Sequence, residues 1–376
     1  MFFLEEQSNR ENEQTETSGT AVDLVKMAKT RQKEQRQERL AQTWGGKQLR
    51  RFRARSYVQM AMFGVVLAIG FQFYRFVHAG LTTTSGALPH RPPGVDGFLP
   101  ITGIMGVVDW IATGTLNTIH PAATILLLVF VVISLFWRKA FCSWLCPVGT
   151  ISEYLALMGR KIFGRNFRIW KWLDITMRGF KYFLLSFFLW AIVSMGAIGT
   201  NAFLYSDYNY VADVKMGMFF VRLGTVGAVV MGILIVGSIF VNGFWCRYFC
   251  PYGALVGLFS WMSPTKIKRT ASACIDCELC NKACPARLPV MTKERIVSVE
   301  CTGCFDCVAS CPVPEALNVE VREKVSPVRR VAMGISIVFV GVWLLAQLTG
   351  VWSNSISDEE YRERIPKMDD VGHPGR

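Results

Sequence analysis

Twelve cysteines stand in this 376-residue chain, and none is solitary. Eight fall in two consecutive runs, Cys274-x2-Cys277-x2-Cys280-x3-Cys284-Pro285 and Cys301-x2-Cys304-x2-Cys307-x3-Cys311-Pro312. The other four form two pairs, Cys142-x3-Cys146-Pro147 and Cys246-x3-Cys250-Pro251. Short regular intervals in a long chain point to thiolates ligating metal. Disulfide frameworks belong instead to small secreted domains.

The long runs have the spacing of two [4Fe–4S] cubanes in one small domain. Three cysteines two residues apart wrap one cubane, and the fourth, a turn later, reaches across to the other. Cys274, Cys277, Cys280 and Cys311 are therefore expected on one cluster, and Cys301, Cys304, Cys307 and Cys284 on the second. Pro285 and Pro312 redirect the chain and remove a competing backbone donor. Zinc ribbons use two separated Cys-x2-Cys pairs, so zinc suits this pattern poorly. A cubane saturated by four thiolates has no open position for substrate, so the chemistry expected is electron transfer and no catalytic residue is assigned.

In the pairs, residues four apart on a helix face the same way and present two thiols within chelating distance. The residue before proline avoids helical backbone, so helices should end near Cys146 and Cys250, with Pro147 and Pro251 opening the next ones. Three readings stand for Cys142, Cys146, Cys246 and Cys250. They are a four-thiolate site holding a third cluster or another redox-active metal, a reversible dithiol, or cysteine simply buried at a helix terminus.

The elements that must hold these thiols are apolar. Hydrophobic residues make up 51% of the chain and charged ones 18%, against about 25% in soluble domains. Five transmembrane helices are expected, over Tyr57–Val77, Pro121–Trp137, Phe180–Thr200, Leu223–Trp245 and Val331–Trp352. The first, 21 residues long, spans about 30 Å at helical rise. Residues 138–181, joining the second span to the start of the third, carry nine Lys and Arg residues, whereas the loop between the first and second carries only Arg91. Positive loops stay inside, which puts the N-terminus and residues 264–330 in the cytoplasm and the tail from Ser353 in the periplasm. The fold class expected is thus an α-helical multi-pass inner-membrane protein with an inserted cytoplasmic two-cluster ferredoxin-like α+β domain.

The domains that follow are a charged cytoplasmic tail (1–55), a four-helix membrane unit (56–263), the ferredoxin domain (264–325), a fifth span (326–352) and a periplasmic tail (353–376). The polar N-terminal stretch is not expected to be a cleaved leader. The two Cys-x3-Cys-Pro motifs each follow an apolar run and precede an amphipathic stretch, so the membrane unit reads as an internal duplication. The net charge of +13 is the basic face of cytoplasmic loops against anionic headgroups. No nucleic-acid-binding motif accompanies it, and nucleic acid is not an expected partner.

With these motifs and the loop Arg91-Pro-Pro-Gly-Val-Asp-Gly-Phe-Leu-Pro100, residues 57–325 resemble the membrane-bound polyferredoxins of the NapH/NosR type. The resemblance implies electron transfer between the quinone pool, or another donor, and a periplasmic reductase, cytochrome or ferredoxin partner. It also implies that the paired motifs lie at cytoplasmic ends of membrane helices, and that a quinol dehydrogenase role is open to the chain. The large flavin domain of NosR-like proteins has no counterpart in this sequence. Thr83-Thr84-Ser85-Gly86-Ala87 lacks the threonine of a flavin attachment motif, so flavin is not expected. A span after the ferredoxin segment is similar to FixG/CcoG-type proteins, which keeps two other classes in view: a redox maturation factor for a metalloenzyme and a redox-sensing regulator.

Weaker signals are read plainly. His78 and His120, at outer ends of spans, are expected as wetted interfacial anchors rather than haem or quinone ligands. His90 and His373 are loop residues. Asp109 is costly if buried in its apolar segment. Trp137, Trp245 and Trp352 are expected in an aromatic belt.

Overall fold

The computed structural model describes residue 27 and residues 53–82, 86–167, 169–313 and 315–374. The charged tail up to residue 52, Met27 apart, and Thr83–Ser85 of the flavin-like motif lie outside the described residues.

Three helices are long and apolar enough to cross a bilayer. They are α1 (Arg53–Thr82), α6 (Lys171–Leu204) and α14 (Val328–Leu348). A fourth crossing is counted if α8 (Ala212–Val221) and α9 (Thr225–Phe240), which meet at a 75° bend, act as one span. The expected second span is a helix with the expected ends, α3 (Pro121–Trp137), but at 17 residues it covers only about 25 Å. The expected fourth span ends early. Its helix stops at Phe240, and Gly243 turns the chain in left-handed backbone (φ 68°). Leu67, Phe71, Trp190, Val193 and Ile198 stand exposed on α1 and α6, as a lipid-facing surface requires.

The duplication is visible in the elements. In the first half α3 leads into α4 (Ala140–Trp144) and α5 (Pro147–Phe163). In the second, α9 leads into α10 (Phe244–Tyr248) and α11 (Pro251–Ser260). The halves exchange partners: α5 packs on α9, and α11 packs on α3. At the first contact the helices nearly touch. A Cβ on Gly159 would come 1.9 Å from the Ile239 carbonyl. The end remote from the ferredoxin-like unit is closed by a 3-10 turn (Pro93–Phe98), α2 (Pro100–Thr113) and α7 (Asp207–Tyr210).

The ferredoxin-like unit has an antiparallel sheet in the order β2-β1-β3-β4, from β1 (Thr265–Arg269), β2 (Arg295–Ile296), β3 (Leu317–Val321) and β4 (Lys324–Val325). Ile267 pairs with Val319 and Ile296, closing both cysteine runs between the strands. Each run holds one short helix, α12 (Leu279–Ala283) or α13 (Asp306–Ala309). This unit has no separate core. Phe130, Ile133 and Trp144 share one buried cluster with Ile267, Phe305 and Val319. The C-terminal segment is more than a tail. It folds into α15 (Asp358–Arg364), started by a Ser357–Glu360 capping box, and buries Tyr361 and Ile365 against Phe73, Phe76 and Val77 of α1.

Candidate iron–sulfur centres

The paired motifs have the same local geometry. In each, the short helix ends with two backbone N–H groups sharing one carbonyl: Leu145 and Cys146 donate to Phe141, Phe249 and Cys250 to Trp245. Cys146 and Cys250 then act as N-cap residues in extended backbone, and Pro147 and Pro251 begin the next helix. The crossed packing of the halves brings the four thiols together on the wall of one largely apolar cavity of about 1170 Å³. Gly149 is needed here, since a Cβ would fall 2.2 Å from the Cys142 carbonyl.

The eight ferredoxin cysteines group as three plus one. Cys274, Cys277, Cys280 and Cys311 line one small pocket, and Cys284 joins Cys301, Cys304 and Cys307 as electrostatic neighbours. The first set is half-buried, whereas Cys301, Cys304 and Cys307 are buried. Both runs place left-handed residues at matching steps, Asp276 and Glu278 in one, Gly303 and Phe305 in the other. Such backbone turns amide N–H groups inward and forms a concavity suited to an anionic cluster. Only the glycine was a visible signal of this in the sequence. Burial pushes the Cys284 thiol up to about 11 even against the Leu288 N–H, so a cluster must displace its proton on binding.

Thiol spacing also bears on the occupant. Sulfurs about 2.3 Å from a tetrahedral zinc lie roughly 3.8 Å apart. Among the described residues the only set of three or more ligand atoms all within 4.8 Å of one another is Asp96, His120 and Asp213, so no three thiols are that close. The thiols therefore stand apart rather than drawn together at the spacing of a tetrahedral zinc.

The quartet is docked on the buried ferredoxin centre from both halves. On α4, Ser143 Oγ donates to the Thr302 carbonyl at 2.7 Å and Trp144 Nε1 to the Gly303 carbonyl at 3.0 Å. From α10, Arg247 Nη1 donates to the Ala286 carbonyl at 2.8 Å, next to Cys284. Arg247 is itself held by Asp174, whose carboxyl loses solvation yet is kept below the usual range by Arg247 and Tyr248. The 34 residues of α6 are broken at Gly196, whose backbone is not helical (φ 65°, ψ −178°), and Asp174 lies in its first turn, ahead of the apolar stretch expected to span the bilayer from Phe180.

Two sequence expectations need correction, at the end remote from the clusters and in the aromatic belt. His120 is fully buried, not wetted. Its Nε2 meets the Asn209 carbonyl at 2.7 Å, an acceptor only, and its Nδ1 meets Asp96 at 3.1 Å. Arg91 bridges Asp96 and Asp213, 2.7 Å from the latter. Burial opposes charge at His120 and Asp96, but Asp96 raises His120 and Arg91 lowers Asp96. Arg91 already occupies both carboxylates, so the trio is an ion-pair lock. Trp352 is buried in the main core and Trp245 lines the cavity, so neither belongs to a belt. Asp109 is buried and accepts from Asn201 Nδ2 at 2.9 Å.

Fold and centres define a membrane protein built for ferredoxin-type electron transport. A family model described as a 4Fe-4S binding domain matches twice, over residues 119–166 and 223–270. Another, described as a 4Fe-4S dicluster domain, matches residues 266–312. The chain belongs to the NapH/NosR-type family of ferredoxin-like membrane proteins. It is 41% identical over 326 residues, 85% of its length, to YccM of Escherichia coli (strain K12), covering 91% of that protein, whose name assigns it provisionally to electron transport. The ferredoxin-type protein NapH of the same organism is 26% identical over 57% of this chain and 72% of its own. The regulatory protein NosR of Pseudomonas aeruginosa is 28% identical over 46% of this chain, only 24% of that longer protein. No solved structure matches.

Proposed function

We propose that this protein is an inner-membrane electron conduit with three centres in series. Cys142, Cys146, Cys246 and Cys250 hold a third cluster. Cys301, Cys304, Cys307 and Cys284 hold the buried middle cluster, and Cys274, Cys277, Cys280 and Cys311 the peripheral one. Bound there, the clusters supply one-electron chemistry. In this reading α3 crosses the bilayer too, which makes five crossings. The start of α1 and the ferredoxin domain face the cytoplasm, and α15 the periplasm. The internal arrangement supports this sidedness: Arg55, at the start of α1, reaches Asp306 in the ferredoxin domain, while Phe76, near its other end, packs on Tyr361.

One observation carries the proposal. The thiol quartet lies between an apolar cavity and the loops of the middle centre. The cavity runs from Pro92, Pro93 and Phe98 at the outer turn to the four thiols, Lys139 and Glu300. Its size and lining suit a quinol whose headgroup sits at the polar end. The residues around the headgroup orient it, and the aromatic wall of Phe130, Phe141 and Tyr252 excludes water. The electron acceptor is a respiratory reductase partner.

Anaerobic purification in detergent with iron analysis tests this. The wild type should hold about twelve irons and the Cys142→Ser/Cys246→Ser variant about eight. A quinol analogue should reduce the wild type's clusters. Eight irons in both, or no reduction by any quinol of sufficiently low potential, overturns the corresponding part.

A further inference from the structure

Two lysines lie where a lysine is costly. Lys181 on α6 is fully buried, and Lys139, three residues before Cys142, is 4% exposed. One carboxylate stands between them. Lys181 Nζ donates to both oxygens of Glu300 at 2.7 Å, and Lys139 Nζ approaches one of them at 3.5 Å. Tyr182 OH donates to the same group at 3.2 Å. Two ammonium groups against one carboxylate leave an excess positive charge in the interior, where it needs an anionic neighbour.

The groups facing this excess are the quartet and Arg247. Lys139 and Glu300 line the same cavity wall as the four thiols, and the positive charge of Lys139 and Lys181 favours thiolate at Cys142 and Cys250. Arg247 adds more positive charge but is already paired with Asp174. Lys139 is held in place from the other half of the duplication, because a Cβ on Gly257 of α11 would lie 3.3 Å from its Nζ. Glu300 immediately precedes Cys301, so the same carboxylate lies beside the middle centre. Protonated or disulfide-bonded sulfur would leave the excess uncompensated. Four thiolates around a cubane carry a net negative charge that grows by one on reduction.

We propose that Lys139 and Lys181, clamped by Glu300, are positioning residues that supply the counter-charge of the Cys142/Cys146/Cys246/Cys250 centre and hold its reduction potential up. The inference rests on the four-thiolate cluster reading. With a cluster bound, an electron passed on from the quinol would add one negative charge and neither break nor form a bond; Lys139 and Lys181 would stabilise that charge, and Glu300 would limit how far they do so.

The test uses the full chain, purified anaerobically, with iron analysis and redox titration followed by electron paramagnetic resonance. The third centre's signal is the one lost in Cys142→Ser/Cys246→Ser. Lys181→Met and Lys139→Met should move its midpoint to a more negative potential, Glu300→Gln to a more positive one, and Lys181→Arg should stay near the wild type. A mechanical tie alone would alter stability but leave the midpoints in place. Unmoved midpoints at full iron content, or shifts of one sign for Lys181→Met and Glu300→Gln, overturn the proposal. If Lys181→Met fails to load iron, Glu300→Gln decides, since it keeps both lysines. A wild type with about eight irons sinks the four-thiolate reading itself, a result distinct from unmoved midpoints at about twelve.

Discussion

Arg55→Met should loosen the ferredoxin unit from the membrane helices. Arg55 is fully buried at the start of α1. Its guanidinium donates to both Glu153 oxygens at 2.7 and 2.8 Å, and to Asp306 at 2.7 Å. Gln59 Nε2 supports the same carboxylate at 2.8 Å. One side chain therefore joins α1, α5 and the loop between Cys304 and Cys307. Methionine keeps most of the length and removes the charge that Glu153 and Asp306, at 17% and 8% side-chain exposure, share. Removing one member of a buried ion pair costs about 3–5 kcal/mol, and the partial exposure of Glu153 favours the lower end. Lysine should rescue only in part, because its single ammonium cannot serve two carboxylates as a planar fork does. Denaturation in detergent followed by tryptophan fluorescence reads the loss. A cycle with Asp306→Asn should show coupling on the order of 0.5–3 kcal/mol. If Arg55→Met stays within about 0.5 kcal/mol of the wild type, or the two changes add independently, this ion pair does not hold the domain.

Gly149→Ala should abolish the third centre's iron while the ferredoxin iron stays, because the clash is with backbone; full iron content would contradict the close approach. Gly303→Ala combines a left-handed φ of 60° with a Cβ 2.9 Å from the Trp137 carbonyl, so the middle cluster's resonance signal should be lost. Arg91→Met should cost about 3–5 kcal/mol in detergent stability yet leave the iron content unchanged, since its network lies at the opposite end of α1 from the clusters. Asp174 has a depressed carboxyl, so its stabilising contribution is present above roughly pH 3.9 and is lost as pH falls below that. Stability measured on the acid side should thus fall more steeply in the wild type than in Asp174→Asn.

The chemistry was legible in the sequence because ligand spacing is local. Three cysteines at intervals of three residues can wrap a cube whatever surrounds them, and the prolines after Cys146 and Cys250 mark helix ends where the structure has them. Spacing could not show that α5 and α11 pack on the opposite half, since that depends on close approaches such as Gly159 to Ile239. The surroundings of each span were hidden for a related reason. Hydropathy does not separate a helix surrounded by lipid from α3, which is surrounded by α2, α11 and α14. His120 was read as wetted because its partners Asp96, Arg91 and Asp213 lie up to 93 positions away, too far for any pattern window. The counter-charges were hidden likewise: Lys139 and Lys181 looked like ordinary basic-loop residues until Glu300, from another domain, was found between them.

The crossed packing of the two halves has a consequence for descent and for engineering. Either half by itself carries two sulfurs and one side of a cavity, and its post-proline helix lacks the surface it rests on. Two copies of such a half, related by a twofold rotation, would supply each other with what is missing. The modern chain has the form of that homodimer fused end to end. The two copies now differ in how they reach the ferredoxin unit, one through Ser143 and Trp144 and the other through Arg247.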